Sequence, residues 1–246
     1  MLQTNEIAGR LHRRLLEESR HFTVEDVRIG GSYVAVVLSG GRIGLAACLK
    51  EFAGTQIEVP RNAICGACAE ALLGDMVYSE SAVERALGLA TANALIHPAA
   101  PAVEEDTIGL MGLQPGERVA MVGLFRPILP KVESTGVRLC VIERDTPEEK
   151  RRDVLGACNV AIVTATTLLN RTMEGILNAL RRPRHVAVIG PSTPLCTEIF
   201  QGTPVTHLGG SAIIDTAAVL QSVSQGGGTP EMRAFLRFVN LRVHQS

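Results

Sequence analysis

The chain of 246 residues contains no tryptophan, two tyrosines and six phenylalanines. Proteins that grip single-stranded nucleic acid stack bases on aromatic platforms, and this chain has little from which to build one. Neither sign of charge is in excess: 24 Lys and Arg stand against 25 Asp and Glu, so no overall field draws in a polyanion or an anionic membrane. No apolar run reaches the roughly 18 residues that a membrane helix needs, and the amino end, "MLQTNEIAGRLHRRLLEESR", is a charged amphipathic pattern without a signal peptide's apolar centre. Six cysteines in this length are too sparse for a disulfide scaffold. These absences predict a soluble, cytoplasmic protein whose partner is a small molecule. Nucleic acid and membrane are set aside as partners, and a homodimer is left open.

What is present divides near residue 103. Leu2 to Arg20 has apolar residues at helical spacing. Three short β-like runs follow, "FTVEDVRIG", "YVAVVLSG" and "RIGLAACL", joined by glycine pairs suited to hairpins. Helical patterns lie around Asn62 to Leu73 and Ser81 to Ile96, the second opening at "SESAVE" with a serine cap and an acid three residues on. Residues 1–103 are therefore expected to form an α+β unit. The polar, proline-containing stretch at 97–107 has the composition of a linker.

Beyond it, apolar runs "RVAMVG", "VRLCVIE", "NVAIVTA", "HVAVIG" and "PVTHLG" alternate with helical segments around Pro127 to Glu133, Thr146 to Leu155, Leu168 to Leu180, Pro194 to Phe200 and Ser211 to Val223. Continuous apolar strands separated by helices predict a parallel sheet covered on both faces, so 104–246 is expected to be a Rossmann-like α/β domain of about five parallel strands. "SQGGGTPE" is expected to be a mobile loop before a last short segment.

In such a sheet, ligands bind at the carboxyl ends of the strands. The first of these turns has Gly123 but lacks the Gly-x-Gly-x-x-Gly that a dinucleotide pyrophosphate needs, which disfavours NAD and FAD. Glu143 follows the second strand, where a carboxylate can hold a ribose-like hydroxyl. The third ends in a hydroxyl cluster, Thr164, Thr166, Thr167 and Thr172 with Asn170, part of which must cap the following helix. The fourth is "GPSTP", where Gly190, Ser192 and Thr193 would precede helix amides able to take an oxyanion. At the fifth, His207 is a candidate base and Asp215 a carboxylate within an apolar stretch. In the first unit, Cys65 and Cys68 have the spacing of a metal-ligand pair or a redox couple, with Cys48 and His97 the nearest further ligands. Two ordinary thiols near a helix start are the alternative.

Taken in order, "AVERALGLATANAL", "VAMVGLFRPILPKV", "VIERDTPEE", "ATTLLNRTMEGIL", "VAVIGPSTPL" and "GGSAIIDTAAV" resemble the two-domain heavy-metal chelation family, an enolase amino-terminal-like domain followed by a Rossmann-like domain. The resemblance implies a cleft between the domains, lined by Gly123, Phe125, Glu143, Thr167, Asn170, Gly190, Pro191, Thr193 and Asp215, with Glu84 or Asn93 from the first domain. Those last two lie about 900° apart around one helix, so at most one can enter the cleft.

The implied ligand is a polar, metal-chelating small molecule of pterin-, flavin- or siderophore-like kind, and Glu143 and Asp215 are the catalytic candidates if it is transformed. No cofactor is fixed by these motifs, and a divalent metal stays open. Two other readings compete: a metal or metallophore carrier using Cys65 and Cys68, and an S-adenosylmethionine-dependent methyltransferase.

Overall fold

The fold is described from a computed structural model, over residues 1–48, 64–96 and 106–244. His97, most of the expected linker and the start of the helix expected from Asn62 lie outside these residues. The first unit begins with helix α1 (Glu6–Ser19), followed by strands β1 (Val24–Ile29), β2 (Tyr33–Leu38) and β3 (Arg42–Ala47) and helices α2 (Ala69–Tyr78) and α3 (Ala82–Leu95). The strands form the expected antiparallel meander, β1-β2-β3. Every residue of β2 is buried, which a sheet with one wet face would not allow. Side-chain alternation explains it: Val34, Val36 and Leu38 pack with α1 to α3, while Tyr33 and Ala35 pack with Val219, Val223 and Met232 from the far end of the chain. Helix α3 sits directly on β3 because position 44 is glycine; a Cβ there would lie 2.0 Å from Ala90 O.

The second unit runs α4 (Thr107–Met111), β4 (Arg118–Val122), α5 (Leu129–Glu133), β5 (Arg138–Ile142), α6 (Glu148–Ala157), β6 (Val160–Thr164), α7 (Thr166–Leu169), α8 (Met173–Ala179) and β7 (His185–Ile189). It closes with β8 (His207–Ile213), α9 (Thr216–Ser224), α10 (Thr229–Met232) and β9 (Leu236–Arg242). The sheet order is β5-β4-β6-β7-β8-β9: five parallel strands, as expected, plus β9 antiparallel at one edge. Its strands are apolar on both faces. Val119, Met121, Val160 and Ile162 enter one core cluster, while Ala120, Val122, Ala161 and Val163 enter the other, which is continuous with the core of the first unit.

Four helix expectations change in detail. The segment from Pro194 forms no α-helix, only a 3-10 turn at Thr197–Phe200; prolines 191 and 194 remove donors there. The helix expected over Leu168 to Leu180 is two short helices, broken where Arg171 takes φ 60°. Ser211 belongs to β8, paired with Phe238, so the following helix starts only at Thr216. Helix α2 starts at Ala69, which leaves Cys65 and Cys68 in the turn before it. The glycine-rich segment after α9 holds the short helix α10, tied to the first sheet by a 2.7 Å hydrogen bond between Thr229 and Tyr33. No helix among the described residues is long and apolar enough to cross a membrane.

Candidate functional site

The strand order locates the site. Numbered within the parallel sheet, β5-β4-β6-β7-β8 is 2-1-3-4-5, an order whose topological switch point lies between its first and third strands, β4 and β6. The connections there leave toward opposite faces. Val132 of α5 packs in one core cluster and Leu168 and Leu169 of α7 pack in the other, so the two connections diverge over the carboxyl ends of β4 and β6, the place where sheets of this order take their ligands.

Gly123 follows directly on β4. Its φ is +87°, its N–H donates to Ile142 O at 2.9 Å, and a Cβ on it would lie 2.9 Å from Thr164 Cγ2. The loop backbone therefore presses against the end of β6, and both the torsion and the contact require glycine. Thr164 and Thr166, both half-buried, lie beside it with their hydroxyls 3.0 Å apart. Phe125, also half-buried, packs on the sheet with its Cε1 4.0 Å from where a Gly190 Cβ would be. Arg126 follows on the same loop and is exposed. Glu143 is exposed at the end of the adjacent strand β5, its backbone N–H held by Thr146 Oγ1 at 3.0 Å.

The structure thus brings Gly123, Phe125 and Gly190 together, with half-buried Pro191 next in the chain. It places the others elsewhere. Thr167 is buried and donates to Thr164 O at 2.6 Å across the start of α7, while Asn170 Oδ1 accepts from the Thr172 hydroxyl at 2.6 Å in the turn between α7 and α8. Asp215 is the exposed N-cap of α9, accepting from Ala218 N at 3.0 Å. Glu84 accepts from Ser79 Oγ at the start of α3. Glu143 and Asp215 belong to strand ends four steps apart in the sheet, roughly 19 Å at the spacing of paired strands, too far for an acid and base to share one bond. His207 starts β8 rather than ending a strand, so it sits at the opposite edge of the sheet.

The "GPSTP" turn is a seam. Ser192 and Thr193 are 2% and 3% exposed. Ser192 Oγ accepts from Ala47 N at 2.8 Å, and Asn93 Nδ2 donates to Leu45 O at 2.8 Å and to Ser192 O at 3.2 Å. Asn93 is therefore the member of the α3 pair that meets the second unit. Its two carbonyl partners fix the orientation of its amide. They leave Asn93 Oδ1, like Thr193 Oγ1, buried without a hydrogen-bond partner among the described residues.

Thr164 belongs to the hydroxyl cluster read from the sequence but not to the lining that the family resemblance implies. Its signal is a hydroxyl at the last position of an otherwise apolar strand, in line with the strand rather than within the helix that follows.

Among the described residues the thiols stand apart from one another's candidate partners. Cys65 is exposed, Cys68 lies 3.6 Å from Ser19 O, and Cys48 is buried with its thiol pKa raised by burial. Among the described residues no three His, Cys, Asp or Glu side chains are grouped so that they could hold a metal ion.

The fold defines a two-sheet α/β protein whose mostly parallel sheet has its switch point between β4 and β6. The chain belongs to the family DUF364, described as "Putative heavy-metal chelation", whose model matches residues 106–242. A companion family with the same description, DUF4213, matches residues 12–96. An uncharacterized protein of Methanocaldococcus jannaschii is 25% identical over 158 residues, 59% of this chain and 61% of that protein, so the match spans less than two thirds of the relative's length. Two crystal structures of DUF364 proteins of unknown function share the fold. One, from Desulfitobacterium hafniense DCB-2, has a TM-score of 0.82 at 19% identity, covering 97% of this chain and 98% of that one. The other, from Pyrococcus horikoshii, has a TM-score of 0.81 at 21% identity, covering 96% and 100%.

Proposed function

We propose that a crevice over β4 and β6 binds a polar, planar small molecule, pterin-, flavin- or siderophore-like, that itself carries the metal-binding atoms. The observation that carries this reading is the geometry at Gly123. A glycine backbone pressed on Thr164 gives a flat approach, two half-buried hydroxyls offer hydrogen bonds, and the Phe125 ring beside Gly190 offers an aromatic face. A heterocycle rich in oxygen and nitrogen suits that combination, and Glu143 on the neighbouring strand end would hydrogen-bond a hydroxyl or a ring nitrogen. The family description supplies the link to metals. If the bound molecule is transformed, Glu143 is the group placed to move a proton, and unchanged turnover in Glu143→Gln would remove it from that role.

The test is calorimetric titration with pterin, riboflavin and the catecholate dihydroxybenzoate, each with and without ferric iron. One class should bind saturably. Phe125→Ala should weaken that binding by about tenfold, or about 1.4 kcal/mol, by removing one ring face. The Cys65→Ser, Cys68→Ser double variant should bind as the parent does. Loss of binding in the double variant, or no binding of any probe, would overturn the reading.

A further inference from the structure

The opposite edge of the large sheet gathers a second set of polar groups. His185 opens β7 and His207 opens β8, with Ala187 paired beside His207, so the period of two places both imidazoles on one face of the sheet. Their ring centroids are 5.0 Å apart at 80°. Arg242 at the end of β9 is the cross-strand partner of His207. With Arg184, Thr206 and His244 these side chains line a cavity of about 430 Å³, within the range of roughly 300 to 1,000 Å³ typical of small-molecule sites.

The charge there is unbalanced. No carboxylate lines the cavity among the described residues. Arg184 is answered by Glu117, with two contacts of 2.6 and 2.7 Å, but Arg242 is exposed and makes no ion pair among the described residues. His207 is 4% exposed, with Nδ1 2.8 Å from Thr206 Oγ1. His185 Nδ1 is buried without a partner among the described residues. We propose that this cavity binds the phosphate group of a small phosphate monoester, which would pair with Arg242 and accept hydrogen bonds from the two imidazoles.

The titration behaviour agrees with that geometry. Burial first, then His185 and Arg242, lower the His207 pKa to about 4. Burial, then Arg184 and Arg242, lower that of His185, with Glu117 opposing. An anion in the cavity would stabilise the protonated rings, so binding takes up protons and tightens as pH falls.

Sulfate stays doubly charged over the relevant pH range and is the cleanest first probe. Histidine ring resonances are followed by NMR while sulfate, and separately glycerol phosphate, is titrated against sodium chloride of equal ionic strength. The His185 and His207 signals should shift saturably with both probes and not with chloride. Glycerol phosphate should bind more tightly than sulfate. Sulfate affinity should rise about tenfold from about pH 7 to about pH 5, on the way down toward the free-state pKa of His207. Arg242→Gln should weaken both probes about tenfold with the thermal midpoint in chloride unchanged. Non-saturating shifts, or the same response in Arg242→Gln, would overturn the site. Equal binding of sulfate and glycerol phosphate would overturn the ester, and a flat pH profile would overturn the part given to the imidazoles.

Discussion

Two stretches of this chain look alike as text: "RVAMVGLFRP" at 118–127 and "HVAVIGPSTP" at 185–194. Each is an apolar strand, a glycine, and a proline four residues on. In the fold they have opposite fates. The first ends at the switch point beside Thr164 and Phe125, where the binding site is proposed, whereas the second is packed shut under Ala47 and Asn93 of the first unit. The difference comes from strand position: β4 borders the switch point, where the connecting helices diverge, while β7 lies inside a run of strands advancing in one direction. Turn composition permits a site at both places, and topology with the neighbouring sheet decides between them.

The sharpest way to break the contrast is to lift the roof over the β7 turn. Gly44→Ala would drive a Cβ to 2.0 Å from Ala90 O and 2.4 Å from Ala94 N. It should cost about 3 kcal/mol in urea unfolding and raise amide exchange at Thr193. Next in size is an effect at the amino edge of the sheet. Because the folded pKa of His207 is lowered to about 4, the stability given by its neutral form is present above its unfolded value, roughly 6.5, and is lost as pH falls from there through 4. His207→Gln, compared with the parent from neutral pH to about pH 4, should therefore lose up to about 3 kcal/mol less stability in acid.

Ser192→Ala leaves Ala47 N without its buried acceptor and should cost about 2 kcal/mol, with no change in binding at the crevice measured by calorimetry. Thr164→Val is the mildest for the fold, within about 0.5 kcal/mol. It should nonetheless weaken crevice binding about tenfold, because an acceptor or donor on the ligand loses its partner.

The sequence carried the layer architecture well, since the antiparallel meander and the five continuous parallel strands follow from period-two and apolar-run patterns. It did not carry β9: "LRFVNLR" pairs with β8 only because the chain returns antiparallel to it, and no local signal says so. The extension of β8 through Ser211 depends on that same partner, which is why Asp215 looked interior to a helix and is instead its cap. In the hydroxyl cluster, residue type alone could not separate Thr164 and Thr166 from the capping pair Asn170 and Thr172. Only the strand end and the break at Arg171 make the division. The burial of Ser192 was also hidden, because its partner, Ala47 N, lies 145 positions away in the chain.

The most direct test is hydrogen exchange read by mass spectrometry, with and without whichever of pterin, riboflavin or dihydroxybenzoate binds most tightly. New protection is expected in peptides spanning Met121 to Arg126 and Val163 to Thr167, with exchange across Ser192 to Leu195 unchanged. Protection confined to Ser192 to Leu195, with the β4 and β6 ends unaffected, would rule out a site at the switch point.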